Sequence, residues 1–460
     1  MDTTHITDQT TAENSHLADH LSHSLSHYPT YAEYKDSGVD WLGEIPKYWD
    51  LVPAFKFIDE NKQKNSGLNE MTVLSLSYGN IIIKSKEKLT GLVPESFETY
   101  QILQPDDIVI RCTDLQNDKV SLRTGLVKNH GIITSAYLGL KVSKKYNAKF
   151  LHYFLHSLDT SKAIYAMGTG LRQNLSFRDF KRFLIPNISI EEQTAIANFL
   201  SQKTAQIDQA IALKQQQIAK LEEYKQILIQ NAVTKGLDPN AEMKDSGVDW
   251  IGEIPKHWEV NIGMNIFYEV KKINLGLEEK KVLSLSYGRV IVKPKSKMFG
   301  LMPENFETYQ IVRNGDIIIR GTDLQNDKVS LRTGYVTTTG IISSAYLNLR
   351  TYQEYNSEFI QIFLHTIDFN KVLYKFGSGV RQSLSFKDFK RMSVPLPPLD
   401  EQTQIADYVQ SLNQTTQQGI QTYQTQINRL KEYKTILIHQ AVTGKIKVTD
   451  FDNDCLNPNN

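Results

Sequence analysis

The chain repeats itself at long range. KDSGVDWLGEIPKYW at Lys35–Trp49 returns as KDSGVDWIGEIPKHW at Lys244–Trp258, and VLSLSYG at Val73 returns at Val282. TDLQNDKVSLRTG at Thr113 returns unchanged at Thr322, and Ala232-Val-Thr returns at Ala441. Every offset is 209, so the register holds for roughly 200 residues without insertion or deletion. A period of that length is a duplicated domain, because solenoid repeats run ~20–50 residues. The length of 460 residues alone suggests about three units at ~150 residues each. The duplication says that two of them share one fold.

Composition narrows the class. With 40% hydrophobic and 22% charged residues the chain is ordinary globular protein, and no run approaches the ~20 apolar residues of a membrane span. The opening MDTTHITDQTTAENSHL has neither a basic start nor an apolar run, against a secretory signal. Two cysteines, Cys112 and Cys455, fit a reducing cytoplasm and are too few for a disulfide framework. The net charge of +1 hides a pattern. Residues 54–186 carry 19 basic and 12 acidic side chains, +7, and residues 263–395 carry the same numbers. The segments 1–50, 187–259 and 396–460 balance at −7, −4 and −2. Two basic blocks separated by acidic stretches are two electrostatic footprints for a polyanion.

Within each copy the order of signals is the same. A segment with two tryptophans and Gly-Glu-Ile-Pro comes first and reads as a folded-back loop. Trp41, Trp49, Trp250 and Trp258 fit core or interface anchors. Strand signals follow at Val73–Tyr78 and Ile81–Lys84, around a Gly-Asn turn, then at Asp107–Arg111 and Ile132–Val142. Helical patterns lie at Ala148–Asp159 and near Ser176–Arg182, where Ser176-Phe-Arg-Asp179 is a capping box that Ser385-Phe-Lys-Asp388 repeats. Strands followed by helices predict an α+β globule. Each copy closes on a long helix. Glu191 to Thr234 has no Pro or Gly, and Leu200, Ile207, Lys214, Leu221 and Leu228 fall seven apart, flanked by Ile211, Ile218 and Ala232. The twin, Glu401–Thr443, places Val409, Thr416, Tyr423, Leu430 and Leu437 likewise, flanked by Ile420, Ile427 and Ala441. These are heptad seams on helices of ~60 Å. Two equal seams in one chain satisfy each other, and an antiparallel pair would put the globules at opposite ends.

These residues resemble the specificity subunit of type I restriction–modification systems. SGVDWLGEIPKYW is similar to that family's opening of a target recognition domain. GTGLRQNLSFRDFKRFLIP with Glu192-Gln193 resembles its passage into the long helix, as does Pro395-Leu-Pro-Pro-Leu-Asp-Glu401-Gln402. Ile185-Pro-Asn-Ile-Ser-Ile departs from the family's Pro-x-Pro-Pro, which is intact only in the second copy. The resemblance covers about residues 34–445. It implies two repeated α/β target recognition domains separated by two long antiparallel coiled-coil helices. The expected divisions are a tail at 1–33, domains at 34–190 and 236–399, spacer helices at 191–235 and 400–445, and a tail at 446–460. It further implies double-stranded DNA, two modification (methyltransferase) subunits and restriction (motor–nuclease) subunits as partners, and no membrane. The chain itself would be non-catalytic and carry no cofactor; S-adenosylmethionine, ATP and Mg would sit on the partners. The sequence contains no Asn/Asp-Pro-Pro-Tyr/Phe methyltransferase signature and no Gly-x-x-x-x-Gly-Lys-Ser/Thr phosphate loop.

The candidate DNA contacts fall into three groups. The first follows a strand and is rich in side chains that read guanine, adenine and phosphate: Arg111, Thr113, Gln116, Asn117, Lys119 and Arg123, with twins Arg320, Thr322, Gln325, Asn326, Lys328 and Arg332. The same residues also suit a polar loop whose turn geometry matters, and the acids Asp107, Asp114 and Asp118 lack the spaced Asp/Glu-x-Lys of a nuclease. In the second, Gly168-Thr-Gly170-Leu precedes Arg172 and Gln173, and Gly377-Ser-Gly379-Val precedes Arg381 and Gln382. Here glycines permit close backbone approach and a capped helix follows, though a purely structural turn fits as well. The third is Tyr78 and Tyr287 in their turns, able to stack on a base or to pack locally. His16, His20, His23 and His27 are helically spaced, yet their acidic Thr/Ser-rich surroundings fit a solvated tail better than a metal face. A freestanding nuclease or methyltransferase, or a coiled-coil scaffold with no DNA role, are the competing classes. Roughly half the paired positions are identical, but the copies align without a gap and the loops Thr113–Gly125 and Thr322–Gly334 are the same, which predicts half-sites of nearly the same sequence. The differences Cys112/Gly321, Asn80/Arg289, Asn174/Ser383 and Lys128-Asn-His130/Thr337-Thr-Thr339 are able to change one or two bases.

Overall fold

Strands of three to five residues build each globule in the computed structural model, which describes residues 28–85, 96–113, 122–164, 175–294, 306–322, 324, 331–375 and 383–448. In the first copy β1 (Tyr34–Asp36) pairs with β2 (Glu44–Pro46), and β3 (Asp50–Pro53) with the late strand β12 (Leu184–Asn187). An antiparallel sheet runs in the order β4 (Ile58–Glu60), β11 (Leu138–Val142), β8 (Ile108–Ile110), β9 (Thr124–Leu126). Two further antiparallel pairs are β5 (Leu74–Ser77) with β6 (Asn80–Ile83), and β7 (Gln101–Leu103) with β10 (Gly131–Ile133). The second copy repeats this pairing, with Phe267–Glu269, Leu347–Thr351, Ile317–Ile319 and Thr333–Tyr335 as its four-stranded sheet. The apolar run predicted as one strand over Ile132–Val142 is two strands, β10 and β11. Between them Tyr137 N donates to the Thr134 carbonyl at 3.2 Å, closing a turn over residues whose short polar side chains favour it.

The helices begin where their caps lie. Asn147 accepts from the amides of Lys149 and Phe150 to start α1 (Ala148–Thr160). Asp179 accepts from the Ser176 hydroxyl at 2.6 Å and its amide at 3.3 Å at the head of α2 (Phe177–Phe180). The long helix α3 covers Ile190–Lys235. Its counterparts in the second copy are α4 (Ser357–Phe369), α5 (Phe386–Phe389) and α6 (Leu399–Val442). The chain divides into two units, 1–214 with 425–460, and 215–424, so each globule uses the start of one long helix and the end of the other. In the first unit Phe150, Leu151, Phe154 and Leu155 of α1 pack with Leu200 of α3 and Leu437 of α6. Burying each such side chain contributes ~1.5–3 kcal/mol. Asp208 pairs with Lys434 at 2.6 Å and Lys214 bonds Gln426 at 2.6 Å. Advancing along α3 therefore means retreating along α6, so the segments run antiparallel. In the second unit Gly419 lies where a Cβ would sit 3.1 Å from Leu221. A glycine inside a helix costs about 1 kcal/mol relative to alanine, and here it makes room for the seam.

The glutamate and glutamine that open each long helix latch it to its globule. Glu192 is buried and accepts from the Tyr31 hydroxyl at 2.9 Å, the Tyr48 hydroxyl at 2.8 Å and the Trp49 indole at 3.2 Å. Gln193 accepts from the Asn147 amide at 2.8 Å and donates to the Ile188 carbonyl at 2.9 Å. In the second unit Glu401 takes Trp258 at 3.1 Å and His257 at 2.8 Å, and Gln402 takes the Asn356 amide at 2.9 Å. Trp49 and Trp258 are fully buried, as core anchors should be, and Trp41 stacks on Phe183. The expected tails are shorter than predicted. Tyr28 and Tyr31 are buried in the same core as Ile446 and Val448, and Lys447 N donates to the Pro29 carbonyl at 2.7 Å. Apolar side chains that close a core from both ends of a chain leave no local periodicity to reveal them.

Candidate nucleic-acid interface

Each globule carries an exposed tyrosine on a two-residue turn. Ser77 and Asn80 pair across β5 and β6, leaving Tyr78 and Gly79 between them at φ 46° and 77°. Both left-handed values define the primed turn that matches strand twist. A glycine takes this conformation freely; tyrosine pays roughly 1–2 kcal/mol for it. Tyr78 nevertheless stands 91% exposed, and Tyr287 at φ 47° is 93% exposed, so neither ring repays that cost by packing. The hairpin is held from behind by Leu74 and Ile81, which pack with Leu103, Val109 and Val127. Gly125 permits this, since a Cβ there would lie 2.7 Å from Leu76 and 2.9 Å from Ile81. That explains structurally why the repeated loop motif ends in Thr-Gly.

Arg123 and Arg332 are corrections to the expected contacts. Both are fully buried, so neither side chain reaches a phosphate or a base. Arg123 Nη1 donates to the carbonyls of Arg111 at 3.2 Å and Thr113 at 2.8 Å, clamping the base of the loop that leaves β8. Arg332 does the same to Arg320 at 3.2 Å and Thr322 at 2.6 Å, and its guanidinium lies 5.4 Å from the centre of the Tyr374 ring. Their backbone amides donate to the buried carboxylates of Asp159 and Asp368, whose pKa values burial pushes up. The described base of each loop is therefore held from inside. Cys112 is also buried, with its thiol pushed up to about 12 by burial. At Gly321 a Cβ would meet the Leu384 carbonyl at 2.2 Å. The Cys112/Gly321 difference thus acts on packing and does not present a reading side chain.

Of the other expected contacts, Arg111 and Arg320 are half-buried at the ends of their strands, Thr113 is half-buried and Thr322 exposed. Gln116, Asn117, Lys119, Arg172, Gln173, Gln325, Asn326, Lys328, Arg381 and Gln382 lie outside the described residues, as do His16, His20, His23 and His27. Among the described residues no group of three or more His, Cys, Asp or Glu is placed to hold a metal, and no helix is long and apolar enough to cross a membrane.

In the first unit the tip of the hairpin overhangs a groove of about 870 Å³. Tyr78 and Asn80 form one rim; α1 contributes Lys149, His152 and His156, and the long helices contribute Asp208, Lys431 and Lys434. Desolvation pulls His152 down to about 3 and His156 to about 4, so both are neutral near pH 7. Sequence reading missed this helical face. Lys149, His152, Tyr153 and His156 do form a polar stripe at i, i+3, i+4 and i+7, but its neighbours on α6 are nearly 300 positions away.

A family model of the Type I restriction modification DNA specificity domain matches residues 280–431. The Type I restriction enzyme MjaVIII specificity subunit of Methanocaldococcus jannaschii is 23% identical over 432 residues, covering 89% of this chain and 95% of its own length. The Type I restriction enzyme EcoBI specificity subunit of Escherichia coli is 25% identical over 380 residues, covering 78% and 76%. Among solved structures, a chain described under complex assembly and conformational transition of the type I R-M system superposes with a TM-score of 0.61 at 13% identity. It covers 86% of this chain and 98% of that one, and shows a shared fold.

Proposed function

We propose that the chain is a type I restriction–modification specificity subunit and that it reads a bipartite DNA target, one half-site with each globule. The observation that carries this reading is the duplication of one display. Each copy presents a strained, fully exposed tyrosine beside a loop clamped by a buried arginine. Aromatic rings stack on bases, and the motif that leaves each clamped base is rich in the Arg, Lys, Asn and Gln that base-edge readout uses. The basic blocks, +7 in each copy, supply sequence-independent attraction to the duplex.

The long helices then serve as spacer and as platform for two modification subunits, with restriction subunits joining the same assembly. Adenine-N6 methylation with S-adenosylmethionine and ATP-driven cleavage with Mg belong to those partners, and the chain contributes recognition without a cofactor of its own. The assembly acts in the cytoplasm. Because the loops Thr113–Gly125 and Thr322–Gly334 are identical, the two half-sites share a core of bases read on opposite strands, an interrupted near-palindrome. Mapping methylated adenines genome-wide, with and without this gene, tests the reading. The expected result is one interrupted motif, with similar halves, that vanishes with the gene. An unchanged methylome overturns the assignment, and two unrelated half-sites overturn the near-palindrome.

A further inference from the structure

One of the places where the two copies differ in charge lies beneath the exposed tyrosine. In the first unit the groove beneath Tyr78 gathers Lys128, Lys149, Lys431 and Lys434 against one carboxylate, Asp208, which pairs Lys434 at 2.6 Å. With its histidines neutral, four cations and one anion leave the groove at +3. The 209-residue offset carries the lysines onto Thr337, Glu358, Glu222 and Lys225, Asp208 onto Gln417 and Asn80 onto Arg289. Two cations and two carboxylates then cancel. In the second unit Glu222, Lys225, Arg289 and His365 come together, since Glu222 and Arg289 both act on the charge of Lys225, and Lys225 and Arg289 on His365.

We propose that the groove of the first unit seats DNA backbone phosphates and that its counterpart in the second unit does not, so the two halves grip the duplex with unequal electrostatic strength. This rests on the DNA-recognition reading and adds an asymmetry to it. Lysine ammoniums are point charges that suit phosphates without reading sequence. Here they come from three separate elements, the segment after β9, α1 and α6, and Tyr78 overhangs them. They line an open track where a small anion would want a converging cage. An acidic protein fits less well. A modification subunit docking once on each half needs like surfaces, and these differ by three charges.

The test uses the full chain with Lys128→Gln, Lys149→Gln and Lys431→Gln combined, and the affinity for duplex DNA measured across salt. Each lost phosphate contact lowers the log–log salt slope by ~0.9, so the triple variant should lose up to about 2.7, an affinity loss between 50 and 200 mM salt smaller by about 40-fold. The reverse exchange, Thr337→Lys, Glu358→Lys and Glu222→Lys, should steepen the slope. Single lysine variants, each expected to lose ~0.9, replace the triple should it fail to fold. A steep wild-type slope that the triple variant leaves unchanged overturns the groove while sparing DNA recognition. So does an unchanged slope accompanied by lost binding of the modification subunit, which makes the groove a protein contact. A wild-type slope near zero defeats the DNA reading itself.

Discussion

Replacing Arg123 by methionine separates a contact residue from a positioning one. The guanidinium is fully buried and bonds two carbonyls, of Arg111 at 3.2 Å and Thr113 at 2.8 Å. Hydrogen bonds from a charged donor contribute ~1.5–3 kcal/mol each, and the carbonyls left behind are desolvated. Methionine keeps most of the volume, so the loss should be about 3 kcal/mol, not the larger figure for a cavity. Native-state hydrogen exchange reads this locally. Amides of β8 and β9 should exchange about 150-fold faster, while Ile317–Ile319 and Thr333–Tyr335 of the second unit serve as an unperturbed control. DNA affinity should fall because the loop loses its register, yet the salt slope should stay unchanged, since no phosphate contact is removed. Unchanged exchange together with a slope lower by ~0.9 would refute the reasoning, because that is the signature of an arginine on a phosphate. Arg332→Met should mirror the effect in the other unit.

Tyr78→Gly and Tyr287→Gly relieve the left-handed strain, so thermal stability should hold or rise by about 1 kcal/mol while DNA affinity drops ~10-fold or more; equal losses of both would make the rings structural. Inserting seven residues after Lys214 and seven after Gln424 keeps the heptad phase and adds ~10.5 Å of helix, so methylome mapping should find half-sites about three base pairs farther apart. Acid should weaken the first unit more than the second. Burial lowers His152 to about 3 and His156 to about 4, below the value of ~6.5 in the unfolded chain, so the unfolded state takes up protons first. The stability of holding them neutral is present above pH ~6.5 and is lost as pH falls toward 3, by up to ~1.4 kcal/mol per pH unit for each histidine. The second unit has Gln361 in place of His152 and keeps His365 at the position of His156, also lowered by burial. Urea melts followed by exchange between pH 7 and 4 check the difference, and His152→Gln should reduce it.

Much of this protein was legible in its order of residues because the forces concerned act over a few positions. The 209-residue offset, the seven-residue seams of α3 and α6, the capping boxes at Ser176 and Ser385 and the turn at Tyr78 all depend on near neighbours. Burial of an ion does not. Arg123 stands in a polar motif and reads as a surface residue; it is interior because β8 and β9 pair around it and Asp159, 36 positions on, receives its amide. The ends of the core were hidden for the same reason, Tyr28 and Val448 being apolar residues without a period until the fold joins them. The groove under Tyr78 is the extreme case. Lys149 is over 280 positions from Lys431, and local sequence carries charge and periodicity but no sign that α1 and α6 line one surface. Turns, helices and their seams are written in local chemistry. Which charges face each other across a groove is decided only when long-range packing pays the entropy of bringing them together.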